Sequence, residues 1–185
     1  MESDIRSGCF LIANPTLRDP NFSRTVVLLC EHNDAGSMGL VINRPTEHTV
    51  AAAIPGMPDR ATQPLFWGGP VQQKLVIVLH RSQLDAPGSK GIVDGMSLGA
   101  DREVLVQLFE HAANPARQVR VFSGYAGWGA GQLEAEMRER SWIVAAASAQ
   151  LVFGVAPDKI WTAALMTLGP RYEYLTRLPP DPRVN

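Results

Sequence analysis

Seven short runs rich in Val, Ile and Leu, each bounded by Asn, Pro, Gly or Ser, constrain this chain most. The first four are CFLIA (9–13), TVVLLCEH (25–32), GLVIN (39–43) and KLVIVLH (74–80). Apolar runs this short between turn residues read as strands. Three of the four are almost unbroken in apolar character, which predicts strands covered on both faces. NDAGSM, between the second and third, is a turn cluster short enough to return the chain antiparallel as a hairpin. GIVDG (91–95), QVRVFSGY (118–125) and SWIVAA (141–146) extend the series. In QVRVFS the alternation of Val119 and Val121 with Gln118 and Arg120 is that of a strand with one wet edge or face.

Helical periodicity appears later. Asp101 can cap a segment in which Val104, Leu105, Leu108, Phe109 and Ala112 share a stripe, ended by Asn114-Pro115. Asp158, after Pro157, opens a second helix with Trp161, Ala164, Leu165 and Leu168 on one face, ended by Gly169-Pro170. Shorter helical stretches are predicted at 49–54 and 148–154. Strands come first and helices cluster later, so the order is not strict βαβ alternation. The fold class expected is α+β with a mixed sheet.

The 185 residues suit one domain, able to bury about 70% of its unfolded surface. The stretch 52–64 reads as a surface loop and the proline-rich 178–185 as a flexible tail. Lys and Arg number 17 against 18 acidic residues, so no net field draws the chain to a polyanion. The acidic start is unlike a signal peptide, and the most apolar long window, 142–156, is interrupted by Ser148, Gln150 and Gly154. A cytoplasmic protein without a membrane span is expected. Cys9 and Cys30 are too few for a disulfide framework, and the four histidines show no ligand spacing, so no metal site is expected.

SGYAGWGAGQLEAEM (123–137) raises the question of a phosphate-binding turn. Gly127, Gly129 and Gly131 give G-x-G-x-G, but Gln132 stands where a dinucleotide fingerprint needs its third glycine, and no P-loop lysine follows. Glu134 and Glu136 already complement the start of the following helix and would repel phosphate. They are also spaced to pair with Arg138 and Arg140 on a solvated face. A glycine turn that packs strand against helix is the plainer reading. Tyr125 and Trp128, large aromatics among glycines, keep a ligand-binding loop in contention.

Asn43 and Arg44 end an apolar strand, where Arg44 could clamp a carboxylate or phosphate or else close a surface salt bridge. Gly68-Gly69-Pro70 makes a turn or lets backbone amides approach a ligand. Cys30 and His32, two apart on a strand, share a face and could act as nucleophile and base, with Glu31 facing away. Trp67 and Trp128 could instead anchor a protein interface.

Together FLIANPTLRDPNFSRTVVLLCEHNDAGSMGLVINRP, FWGGPV and GYAGWGAGQLEAEM resemble the AlgH/YqgE family of bacterial proteins, over about residues 8–170. The resemblance implies a curved, bifurcated and largely antiparallel β-sheet forming a pseudo-barrel with helices packed around it. It implies no catalytic mechanism and no required metal or cofactor. Members carry a transcriptional-regulator label, yet the segment 101–113 bears Glu103 and Glu110 against Arg102 alone, which speaks against direct DNA reading. The function expected is a regulatory or housekeeping binding protein for a small anionic ligand or a protein partner. Its candidate site is Asn43, Arg44, Gly68, Gly69, Tyr125, Gly127 and Trp128. An enzyme using Cys30 and His32, and a transcriptional regulator, are the alternatives.

Overall fold

The apolar runs form strands whose side chains alternate between two separate cores, as continuous hydrophobicity requires. In β1 (Cys9–Ala13), Phe10 and Ile12 face one core while Cys9, Leu11 and Ala13 face another. β2 (Val26–Asn33) divides in the same way, with Val26, Leu28 and Cys30 inward and Val27 and Leu29 outward. β3 (Gly36–Val41) returns antiparallel to β2 through a turn at Asp34-Ala35, the expected hairpin. The computed structural model describes residues 5–17, 19–84, 86–99 and 101–178, so the tail beyond Leu178 lies outside the described residues.

The other strands are β4 (Pro45–Thr49), β5 (Pro64–Trp67), β6 (Val71–Arg81), β7 (Lys90–Val93), β8 (Met96–Leu98), β9 (Val119–Gly129) and β10 (Trp142–Ala146). They curl into a half-barrel with the order β10-β1-β2-β3-β9-β6-β8-β7. The sheet forks at β9. Its second half pairs with β3, while Phe122 and Ser123 pair in parallel with β5, which carries β4 at its far edge. This is the α+β class expected from the order of elements, in the curved and largely antiparallel pseudo-barrel that the family resemblance implied.

Among the described residues, six α-helices cover the sheet. α1 (Val50–Ala53) is capped by the Thr49 hydroxyl and α2 (Arg102–His111) by Asp101, whose carboxylate accepts from Val104 N at 2.8 Å. Both lie over the outer face of β6 and β9, where Val104, Leu105, Leu108 and Phe109 meet Val78, Val119 and Val121. α3 (Gln132–Arg138) packs Leu133 on the outer face near β1–β3. α4 (Ala149–Gly154), α5 (Pro157–Met166) and α6 (Glu173–Thr176) fill the concave face. Trp161 of α5 donates its indole N–H to Ala13 O at 2.9 Å, tying α5 to β1.

The structure departs from the sequence reading in three places that matter for the site. First, β9 does not end at Tyr125 but runs through Gly124, Gly127 and Gly129, so these glycines belong to the strand. The reason lies in the connection from β5 to β6, which crosses over β9: β5 pairs with one side of β9 and β6 with the other. A Cβ on Gly69 would collide with the backbone of Tyr125 and Ala126, one on Gly68 with Gly124 O, and one on Gly124 would lie 2.7 Å from Gly69 O. Two glycine-containing motifs 55 residues apart therefore serve one close backbone crossing.

Second, Arg120 is not on a wet face. It is 6% exposed, because β9 is covered on both sides, by α2 outside and the main core inside. Third, Glu136 forms no ion pair with Arg140. Its Oε2 accepts the indole N–H groups of Trp128 at 2.9 Å and Trp142 at 2.7 Å, within an aromatic cluster completed by Phe22. Glu134 sits 3.8 Å from His32 Nε2 instead of pairing with Arg138.

Candidate functional site

A groove of about 630 Å³ opens on the concave side, between the β2–β3 hairpin and the first half of β6, with the second half of β9 as its floor. The hairpin contributes Glu31, Asn33, Ser37 and Met38, β6 contributes Val71, Gln72, Leu75 and Ile77, and β9 contributes Tyr125, Gly127 and Trp128. Its shape follows from how β6 leaves the crossing. Val71 pairs with Tyr125, but the next paired residue of β6 is Val76, opposite Ser123. Residues 72–75 therefore bow out of the ladder, with Gln72 at φ 46° and the Ser123 hydroxyl bonded to Gln73 O. The Tyr125 ring lies over Gly127, where a Cβ would stand 3.3 Å from it.

Among the described residues, the lining carries one carboxylate, Glu31, and no arginine or lysine. Lys90 Nζ lies 3.7 Å from Glu31 Oε1, both groups well exposed, an ion pair worth little in water. At the hairpin, Ser37 Oγ lies 2.8 Å from His32 Nδ1, which fixes the ring beside Glu134.

The expected residues divide. Tyr125, Gly127 and Trp128 line the groove. Trp128 shows it only an edge, being 6% exposed with its N–H bonded to Glu136. Gly68 and Gly69 are occupied by the strand crossing. Asn43 accepts from Val26 N at 2.9 Å and donates to Arg24 O at 3.0 Å, and Arg44 Nη2 donates to Ser23 O at 2.8 Å. These two side chains stitch the 19–25 segment to the sheet and do not line the groove. Trp67 joins Trp128 in packing around Phe22 and is not a free anchor.

Cys30 and His32 do not form a pair. The ladder with β3 slips between Leu29 and Glu31, and this bulge puts Cys30 in the inner core while His32 reaches Ser37 and Glu134 of α3 on the outer side. Glu31 is thereby turned into the groove, where simple alternation pointed it away. Burial, reinforced by the neighbouring Glu31 charge, pushes the Cys30 thiol up to about 12, and burial also raises Cys9. A thiol so placed is protonated at neutral pH and is no nucleophile. Native protein at pH 8 is expected to leave both cysteines unmodified by Ellman's reagent, with two thiols titrating in denaturant; fast labelling of Cys30 in the native state would contradict this burial.

Sequence reasoning missed Glu31, Asn33, Ser37, Gln72 and Leu75. The available signal was the polar VQQK at the head of an otherwise apolar strand. Among the described residues, no three His, Cys, Asp or Glu side chains gather as a metal site, and no helix is long and apolar enough to cross a membrane.

A family model described as AlgH-like matches residues 10–173. The chain belongs to the AlgH-like family. A UPF0301 protein of Chlorobaculum tepidum is 42% identical over 181 residues, covering 98% of this chain and 96% of that protein. A UPF0301 protein of Cytophaga hutchinsonii is 37% identical over 184 residues, covering 98% of this chain and all of the relative. The solution structure of the AlgH protein from Pseudomonas aeruginosa superposes with a TM-score of 0.76 at 34% identity, over 95% of this chain and 96% of that one. A crystal structure of a Corynebacterium diphtheriae protein, 23% identical with a TM-score of 0.77, over 95% of this chain and 94% of that one, shares the fold.

Proposed function

We propose that this AlgH-like protein is a recognition module that takes an extended segment of a partner protein into the groove, with a basic side chain of the partner facing Glu31. The observation that carries this reading is the bowed stretch 72–75. Its backbone lies outside the β9 ladder, and β8 covers β6 only at Leu79–Arg81. A stretch of exposed residues whose backbone is outside a ladder, beside a groove, is a template for adding a strand. Leu75 and Val76 are 43% and 41% exposed there, large apolar groups that a partner could cover. Lys74, in the same stretch, is the kind of edge charge that discourages two copies from pairing with each other.

The charge of the lining argues against the small anion expected from Arg44, since Glu31 would repel it. The groove is also wide open, whereas small-molecule sites enclose most of their ligand. A regulatory role through a protein partner fits α2 as well, because its apolar stripe is buried and its one arginine, Arg102, is bonded to Pro55 O, which leaves α2 poorly suited to a DNA groove.

A segment of this length buries less than roughly 1,200 Å², the class of weak, transient contacts, so micromolar affinity is expected. Selection from a random peptide display library against the purified protein is the test. The expected outcome is a basic consensus whose NMR shift changes fall on 31–38, 71–77 and 125–128. Glu31→Lys should weaken that peptide by roughly fivefold. No enriched peptide, or shift changes confined to another face, would contradict the reading.

A further inference from the structure

The other end of the concave face poses a different problem. Arg120 lies five residues, roughly 17 Å along the strand, from Tyr125, and it is 6% exposed. Its guanidinium carbon sits 4.4 Å above the centre of the Phe66 ring. Nε is sealed from solvent and has no hydrogen-bond partner among the described residues. None of the ion pairs formed by the described residues includes Arg120, and burial holds its guanidinium down to about 10, with no carboxylate of the described residues contributing. A buried cation without a counter-charge is unfavourable, and an aromatic face returns only part of the lost hydration. Packing on Phe66 would be served as well by an uncharged chain of similar length.

A neighbouring arginine indicates what would complete the arrangement. Arg81 is on the same face of the sheet as Arg120, one diagonal step away: Leu79 lies opposite Arg120, and Arg81 N bonds Gln118 O. The Arg81 guanidinium stacks on Phe153 at 5.2 Å and donates Nε to Arg117 O at 3.1 Å. Two guanidinium groups share this strand end, and none of the ion pairs formed by the described residues includes either. The group that satisfies only donors, and prefers a planar guanidinium, is an oxyanion.

We propose that Arg120, supported by Arg81, forms an oxyanion site for a carboxylate or phosphate group at the β5–β9 end of the concave face, separate from the groove. The anionic ligand sought at Arg44 in the sequence belongs at this second arginine. Nothing in the proposal depends on the partner reading of the groove.

Proton–nitrogen NMR of the arginine Nε–H groups tests it, with inorganic phosphate and acetate titrated separately against chloride at equal ionic strength. The Arg120 resonance, assigned by its absence in Arg120→Met, is expected to shift saturably with one anion, accompanied by a rise in Tm. A response to phosphate alone assigns a phosphate site; a response to acetate alone assigns a carboxylate site. Arg120→Met should weaken binding by about tenfold or more, the worth of a hydrogen bond to a charged group. If the methionine variant does not fold, Arg120→Lys serves for both assignment and affinity, since it keeps the cation but not the planar fork. The proposal is overturned if neither anion shifts Arg120 saturably, or if the response survives unchanged in the position-120 variant.

Discussion

Gly69→Ala is expected to cost more than about 4 kcal/mol or to leave the chain insoluble, which places it among the severe single substitutions. Gly69 has φ 153°, and its added Cβ would collide with the Tyr125 carbonyl carbon and the Ala126 nitrogen. Those atoms are backbone of a strand held on both sides, so no side-chain rotation relieves the clash. Relief requires lifting the β5–β6 connection off β9, which disturbs the parallel β5–β9 pairing and the antiparallel β6–β9 ladder together. Gly88→Ala is the control. It also has a positive φ, 79°, but nothing stands within 4 Å of its Cβ, so it should cost only about 1–2 kcal/mol. Urea denaturation of both variants checks the difference, and a Gly69→Ala cost as small as the control's would refute the crossing as the reason for the glycine pair.

Glu136→Ala is expected to destabilise by about 2–4 kcal/mol, since it strands the indole N–H groups of Trp128 and Trp142 in an aromatic cluster, each unmade bond costing about 1–3 kcal/mol before water penetration is counted. The same carboxylate accepts from Gln132 Nε2 at 3.0 Å, and Gln132 Oε1 accepts from Gly129 N at 3.1 Å. One acidic side chain thus fixes the end of β9 to α3 and to the start of β10. Glu136→Gln keeps an acceptor oxygen and should cost about 1 kcal/mol. Thermal unfolding followed by tryptophan fluorescence reads both variants; an alanine variant as stable as wild type would remove Glu136 from the architecture.

The inner strands were legible because their physics is local. In CFLIA and TVVLLC nearly every position is apolar, and each is buried against one of two cores. The cap of α2 was equally visible, with Asp101 immediately before a periodic stripe. β4 and β5 were not, since each is short and begins with proline; β4 becomes a strand only through pairing with β5, and β5 through pairing with β4 and β9. Glu136 and Arg120 failed for a shared reason. Periodicity assigns a charged residue to solvent, and only tertiary structure reveals that two indoles, or a phenylalanine ring, wait at the position. The candidate site was half legible: Tyr125, Gly127 and Trp128 line a groove, but Glu31 reaches it through a bulge at Cys30 that no alternation rule anticipates.

The central claim, that the bowed edge of β6 beside the groove receives a partner's extended segment, is tested most directly by amide hydrogen exchange at residues 72–75 with and without a peptide selected for binding. The account predicts fast exchange at 72–75 in the free protein, slow exchange at 77–80, and protection of 72–75 when the peptide is bound. Slow exchange at 72–75 without peptide, or peptide binding that leaves these amides unprotected, would contradict it.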